Sequence, residues 1–201
     1  MAVPVIRELT APFTADKVRE LRVRDLVRLT GRIHTGRDRL HKFLFEGGES
    51  PVELRDGAIY HCGPVVLRRD SHWVIQASGP TTSAREESYM PALIAKFGLR
   101  LIIGKGGMGP ETVRACSRFG CVYLEAVGGA AQVLNEHVTQ VVDVRFFREF
   151  GSTEAMWELD VKDFPAIVSI DTRGNSLHRR VQAASRRMLA RILRDAPPFG
   201  G

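Results

Sequence analysis

Apolar residues recur at two spacings along this chain, and the changes from one to the other give a predicted order of elements. From residue 17 to 33 they alternate, through Val18, Leu21 and Val23 and then Leu26-Val27-Arg28-Leu29-Thr30-Gly31-Arg32-Ile33, which predicts one or two strands. His34-Thr35-Gly36-Arg37-Asp38 reads as a turn, with Asp38 placed to cap a helix through Leu40, His41, Phe43 and Leu44 that Gly47-Gly48 stops. Short strands follow at Ala58 to Cys62 and at His72 to Ala77, and a helix from Ala84 to Phe97 ends at Gly98. Leu99 to Ile103 is an unbroken apolar run of the kind buried on both faces. A glycine-rich loop, Gly104 to Gly109, leads into a helix that Pro110 starts and Gly120 ends. Cys121 to Ala126 and Gln140 to Phe147 read as strands around a helix from Ala130 to Val138. Two late strands, Trp157 to Val161 and Ala166 to Ile170, precede a turn at Gly174-Asn175-Ser176 and a terminal helix over 176–194.

Strands come first and strand–helix alternation follows, which predicts an α/β fold with a mixed, partly parallel sheet flanked by helices. The loops after Ala77, Ile103 and Ala126 then fall at strand ends, where such sheets bind ligands.

A length of 201 residues suits a single domain over 1–201, with a core of about 20–180 and the terminal helix as an extension. No apolar run is long enough to span a bilayer. Met1 to Pro12 carries no secretory pattern, so the expectation is a cytoplasmic protein that engages no membrane. Cys62, Cys116 and Cys121 are an odd and scattered set, which argues against a disulfide framework and offers no zinc or iron–sulfur spacing. The six histidines form no His-x-x-x-His pair, so no metal site is expected on this chain. The net charge of +6 is concentrated between Arg179 and Arg194, where basic residues alternate with Val181, Ala184, Met188, Leu189 and Ile192 at helical spacing. This is an amphipathic helix with a basic outer face. A nucleic-acid-binding module built on that helix and the Gly-Lys-Gly-Gly loop is the alternative from another class. Few aromatics and Pro110, which breaks the KH-type pattern after the loop, weigh against it.

Three segments carry candidate chemistry, each setting a cation or hydroxyl on a tight turn before a helix. Arg37, in Gly36-Arg37-Asp38, can grip a carboxylate bidentately beside free N–H groups of a helix start. Thr81, Thr82 and Ser83 precede a helix with Arg85 in its first turn, where the helix dipole disfavours a cation unless an anion shares the site. Gly104-Lys105-Gly106-Gly107 lets backbone approach a ligand while Lys105 supplies a point charge, and it lacks the Ser or Thr of a Walker loop.

In this order, those segments resemble the β subunit of class I fumarases and L(+)-tartrate dehydratases, and the C-terminal domain of the single-chain enzymes. The resemblance runs through Leu29-Thr30-Gly31-Arg32-Ile33, Gly36-Arg37-Asp38 with His41-Lys42, and Ile59-Tyr60-His61-Cys62-Gly63-Pro64. It continues through Gly79-Pro80-Thr81-Thr82-Ser83 with Arg85, Ile103 to Met108, Gly128-Gly129-Ala130-Ala131 and Gly174-Asn175-Ser176-Leu177. It implies a swivelling β/β/α domain and hydro-lyase chemistry, reversible hydration of fumarate to malate, with tartrate dehydration as the alternative. It implies a larger α subunit carrying a [4Fe–4S] cluster, with the chain homodimerising inside a heterotetramer. By the same resemblance Arg37, Arg85, Lys105 and Thr82 bind the dicarboxylate, Thr81 and Lys105 are catalytic, and Asp38, His41, Gly104 and Gly106 are supportive. Glu86 departs from the family pattern, where many relatives carry Met, and stands beside the expected anion site.

Overall fold

The computed structural model describes residues 6–70 and 72–195, so both ends of the predicted 1–201 domain, and the first five residues of the expected leaderless N-terminus, lie outside it. Among the described residues nine strands form: β1 Ile6–Thr10, β2 Leu26–Gly36, β3 Ala58–His61, β4 Val65–Arg69, β5 His72–Ala77, β6 Leu101–Gly104, β7 Val122–Glu125, β8 Val138–Arg145 and β9 Met156–Ile170. The helices are α1 Ala15–Arg19, α2 Asp38–Phe45, α3 Met90–Phe97, α4 Pro110–Phe119, α5 Ala131–Asn135, α6 Phe147–Phe150 and α7 Leu177–Asp195, with a 3-10 turn at Ser83–Glu86.

Strands run in the order β1-β2-β3-β6-β7-β9-β8. β1, β2, β3, β6 and β7 are mutually parallel, and β9 is antiparallel to its neighbours. β9 also pairs back onto β2, from Leu26↔Ile167 to His34↔Glu158. That pairing closes β2, β3, β6, β7 and β9 into a barrel, where the sequence pattern predicts only a mixed sheet. The fold is mixed α/β with a mixed sheet, as expected; closure is the addition.

The apolar runs split by strand periodicity into two cores. Tyr60, Leu101, Ile103, Val122 and Leu124 point into the barrel with Trp157, Leu159 and Phe164. Ile59, Ile102 and Tyr123 point outward, against Leu40, Leu44, Leu93, Ile94, Val113 and Cys116 of α2, α3 and α4. Gly98 and Gly120 end α3 and α4 in the left-handed region, as predicted.

Several sequence expectations are corrected. Residues 15–19 are helical, since Val18 is the residue of that segment that packs into the core. The two late strands are one 15-residue strand, because neighbours on both sides take up its hydrogen bonds along its length. The helix expected from Ala84 is a 3-10 turn followed by α3. Val138 belongs to β8. Asp38 is the first residue of α2 and makes no cap hydrogen bond. α7 forms as predicted, but its apolar stripe has no cover among the described residues: Val181, Met188, Leu189 and Ile192 are all more than half exposed.

Candidate active site

Because β2, β3, β6 and β7 are parallel, their C-terminal ends share one rim of the barrel. Gly36, His61, Gly104 and Glu125 are the last residues of these strands. The segment after β5 returns to this rim and threads between β3 and β6. Thr81 N–H donates to His61 C=O at 2.7 Å, Lys105 N–H to Thr81 C=O at 3.3 Å, and Ser83 N–H to Lys105 C=O at 3.0 Å. Thr81, Thr82 and Lys105 are therefore fixed to one another through backbone, although 24 residues separate Thr81 from Lys105 along the chain.

Arg85, on the 3-10 turn, donates from Nη2 to Thr81 Oγ1 at 2.7 Å and lies 3.4 Å from Asp38 Oδ2. Asp38 thus serves Arg85 and does not pair with its neighbour Arg37. Arg37 lies against the Gly63 backbone, and its Nε is 3.4 Å from Glu154 Oε1. The other Glu154 oxygen accepts the Arg39 N–H at 3.0 Å. Glu154 therefore holds both the first turn of α2 and the arginine that precedes it, the capping role the sequence reading gave to Asp38. Lys105 extends past Gly128, whose added Cβ would lie 3.4 Å from Lys105 Cδ.

Below these groups is a buried polar layer that the motifs do not reveal. Tyr123 O–H donates to Ser83 Oγ at 2.9 Å, and Ser83 Oγ is 2.8 Å from His61 Nδ1. A Cβ on Gly104 would overlap Ser83 Oγ, so the layer requires glycine there. The His41 and His61 rings meet edge to face at 5.0 Å. His41 Nδ1 is 3.1 Å from Glu86 Oε2, and both side chains are fully buried. Glu86 therefore turns away from the expected anion site. Burial, followed by the neighbouring His41 ring and the Arg85 guanidinium, pushes the His61 imidazole well below its ordinary value. Burial also pushes the Cys62 thiol up to about 12 and raises the Tyr123 phenol.

Two further carboxylates act on this rim. Glu87 accepts the N–H groups of Gly109, Glu111 and Thr112 and the Thr112 hydroxyl, at 2.7–3.1 Å, and so caps α4 from a distant segment. Glu125 Oε1 accepts the Gly106 N–H at 2.6 Å, and Glu125 Oε2 is 2.9 Å from His178 Nε2. Ser83 stands in a predicted candidate segment, but none of His61, Tyr123, Glu87, Glu125, Glu154 or His178 is singled out by sequence reasoning. The run from Ile59 to Pro64 was the available signal for His61.

The rim thus carries Arg37 held by Glu154, Arg85 held between Asp38 and the Thr81 hydroxyl, and Lys105 fixed through its backbone to Thr81 and Ser83. It does not offer a cluster site. Cys62 is buried in the barrel core and Cys116 and Cys121 in the outer core, so the three do not meet, and among the described residues no three His, Cys, Asp or Glu side chains group as metal ligands. No described helix is long and apolar enough to cross a membrane.

The family described as fumarase C-terminus matches residues 4–181. A protein of Geobacillus stearothermophilus, provisionally named a class I fumarate hydratase, is 48% identical over 185 residues, 92% of this chain and 36% of its own length. The chain thus spans about a third of that relative. The L(+)-tartrate dehydratase subunit beta of Escherichia coli K12 is 39% identical, over 84% of this chain and 85% of its own length. A Methanocaldococcus jannaschii protein provisionally given the same subunit name is 40% identical, over 84% and 89%.

Proposed function

The chain belongs to the fumarase C-terminus family, and from that premise we propose that it is the β subunit of a cytoplasmic, two-subunit iron–sulfur hydro-lyase. The observation that carries this reading is the Arg85–Thr81 hydrogen bond at 2.7 Å, on a segment locked by backbone to Lys105. Hydrating an alkene dicarboxylate requires fixing two carboxylates, stabilising charge as it builds on one of them, and moving one proton. Arg37, Arg85 and Lys105 supply the grip, with Thr82 beside them. Thr81 moves the proton: its hydroxyl is a weak base unaided, and the guanidinium on Oγ1 stabilises the oxyanion it must become. Asp38 orients Arg85, His41 packs beneath the turn, and Gly104 and Gly106 let the backbone come close. The closed barrel with an outer helical layer is consistent with the swivelling β/β/α class.

The [4Fe–4S] cluster implied by the family does not fit this chain's cysteines, which are buried in two separate cores, and we assign it to the α subunit. The assembly we infer is a heterotetramer in which two copies of this chain meet. Fumarate and malate are the favoured pair, in line with the 48% identity to the fumarate hydratase relative. Tartrate remains the second reading, because the relatives that this chain matches over most of their length carry that name.

The test is to assay fumarate hydration and tartrate dehydration by the chain alone and with a cluster-loaded α partner. Activity only in the complex supports the reading. Full activity from the lone chain overturns the division of labour, and none in either assay overturns the hydro-lyase reading.

A further inference from the structure

The Lys105 loop contains two consecutive glycines in the left-handed region, Gly106 at φ +80° and Gly107 at φ +75°. Glycine is the residue with the most backbone freedom to lose, so such a loop needs external ties to hold one shape. On the Lys105 side the ties are Thr81 and Ser83. On the far side they are two residues with no part in gripping substrate. Glu125, the last residue of β7, accepts the Gly106 N–H at 2.6 Å, a short charge-assisted bond. Its second oxygen meets His178 Nε2 at 2.9 Å, and the His178 ring lies so close over Gly107 that a Cβ there would strike it.

His178 reaches this position through the Gly174-Asn175-Ser176 turn, which the grip itself does not explain. Buried Asp171 accepts the N–H groups of Arg173 and Asn175, each at 3.0 Å, and the Asn175 amide as well. Ser176 pairs back onto Ile170, so the first turn of α7 starts across the loop.

We propose that Glu125 and His178 are positioning residues that hold the Gly104–Gly107 loop in the shape from which Lys105 meets a carboxylate. This rests on the reading of Lys105 as a dicarboxylate ligand. Glu125 fixes the amide after Lys105, His178 closes over the next glycine, and the 171–176 turn fixes His178.

The experiment compares Glu125→Gln and Glu125→Ala in the full chain, by exchange of the Gly106 amide in NMR and by kinetics of the complex with its α partner. Glutamine keeps an oxygen for the Gly106 N–H, and alanine removes it. The expected result is a Gly106 amide protected in the wild type and in Glu125→Gln, and exchanging freely in Glu125→Ala. KM for the dicarboxylate should rise about tenfold in Glu125→Ala and less than about threefold in Glu125→Gln, with kcat changed less than KM. Equal KM in the two variants, or unchanged Gly106 exchange in Glu125→Ala, overturns the proposal. If Glu125→Ala does not fold, His178→Ala decides: Gly106 exchange and KM rise together, or the clamp is wrong. A wild-type complex with no hydro-lyase activity removes the functional reading, while the exchange data still judge the clamp.

Discussion

Thr81 Oγ1 receives a guanidinium hydrogen bond from a residue four positions on, and that guanidinium is itself steadied by Asp38. The Arg85 side chain is about half exposed and its contacts lie at the surface, so its loss should cost function and little stability. Arg85→Ala is expected to lower kcat/KM about 100-fold or more while the melting temperature stays at the wild-type value; steady-state kinetics beside a thermal melt check both. Gly104 behaves in the opposite way. Gly104→Ala must displace Ser83 from Tyr123 and His61, so a loss of about 1–3 kcal/mol in denaturant unfolding is expected. Arg37, Thr81, Arg85 and Lys105 were legible as residues because each stands in a short run with its own turn chemistry. Glu125 and Glu154, which hold Gly106 and Arg37, were not, since an acid that will be bonded looks like any solvated acid until distant segments meet it.

At the scale of elements, α4 shows how a helix can be predicted while its support is not. Pro110 and Gly120 mark its ends in the sequence, but its N-terminal N–H groups are satisfied by Glu87, 22 to 25 residues earlier. Glu87→Ala should destabilise the protein by about 2 kcal/mol, read as a lower denaturant midpoint at unchanged slope. α7 illustrates the reverse. Its period was plain, but its described side chains from Arg179 onward are exposed and touch no core. Ending the chain after Val181 should leave unfolding free energy within about 0.5 kcal/mol of the intact protein; a larger loss in a urea melt would show that the helix packs on the domain.

Across the whole molecule, folding buries His34 and His61 with a common consequence. His34 and His61 both lie below their ordinary value of 6.5, burial being the main cause in each. The folded chain refuses protons that the unfolded chain accepts once pH drops below that value. Stability should therefore be level near pH 7.5 and fall towards pH 5.5, by up to about 1.4 kcal/mol per pH unit for each histidine. Urea unfolding across that range checks it, and His61→Asn should give the shallower slope. The sequence by itself determined most of the strands, the partly parallel middle of the sheet and the cationic motifs, because periodicity and turn chemistry act between near neighbours. Only the tertiary structure decided that β9 returns to β2, that Thr81 meets Lys105, and which acids hold the rim. Those are pairings over tens of residues, chosen by which closed arrangement satisfies every buried backbone and carboxylate group at once.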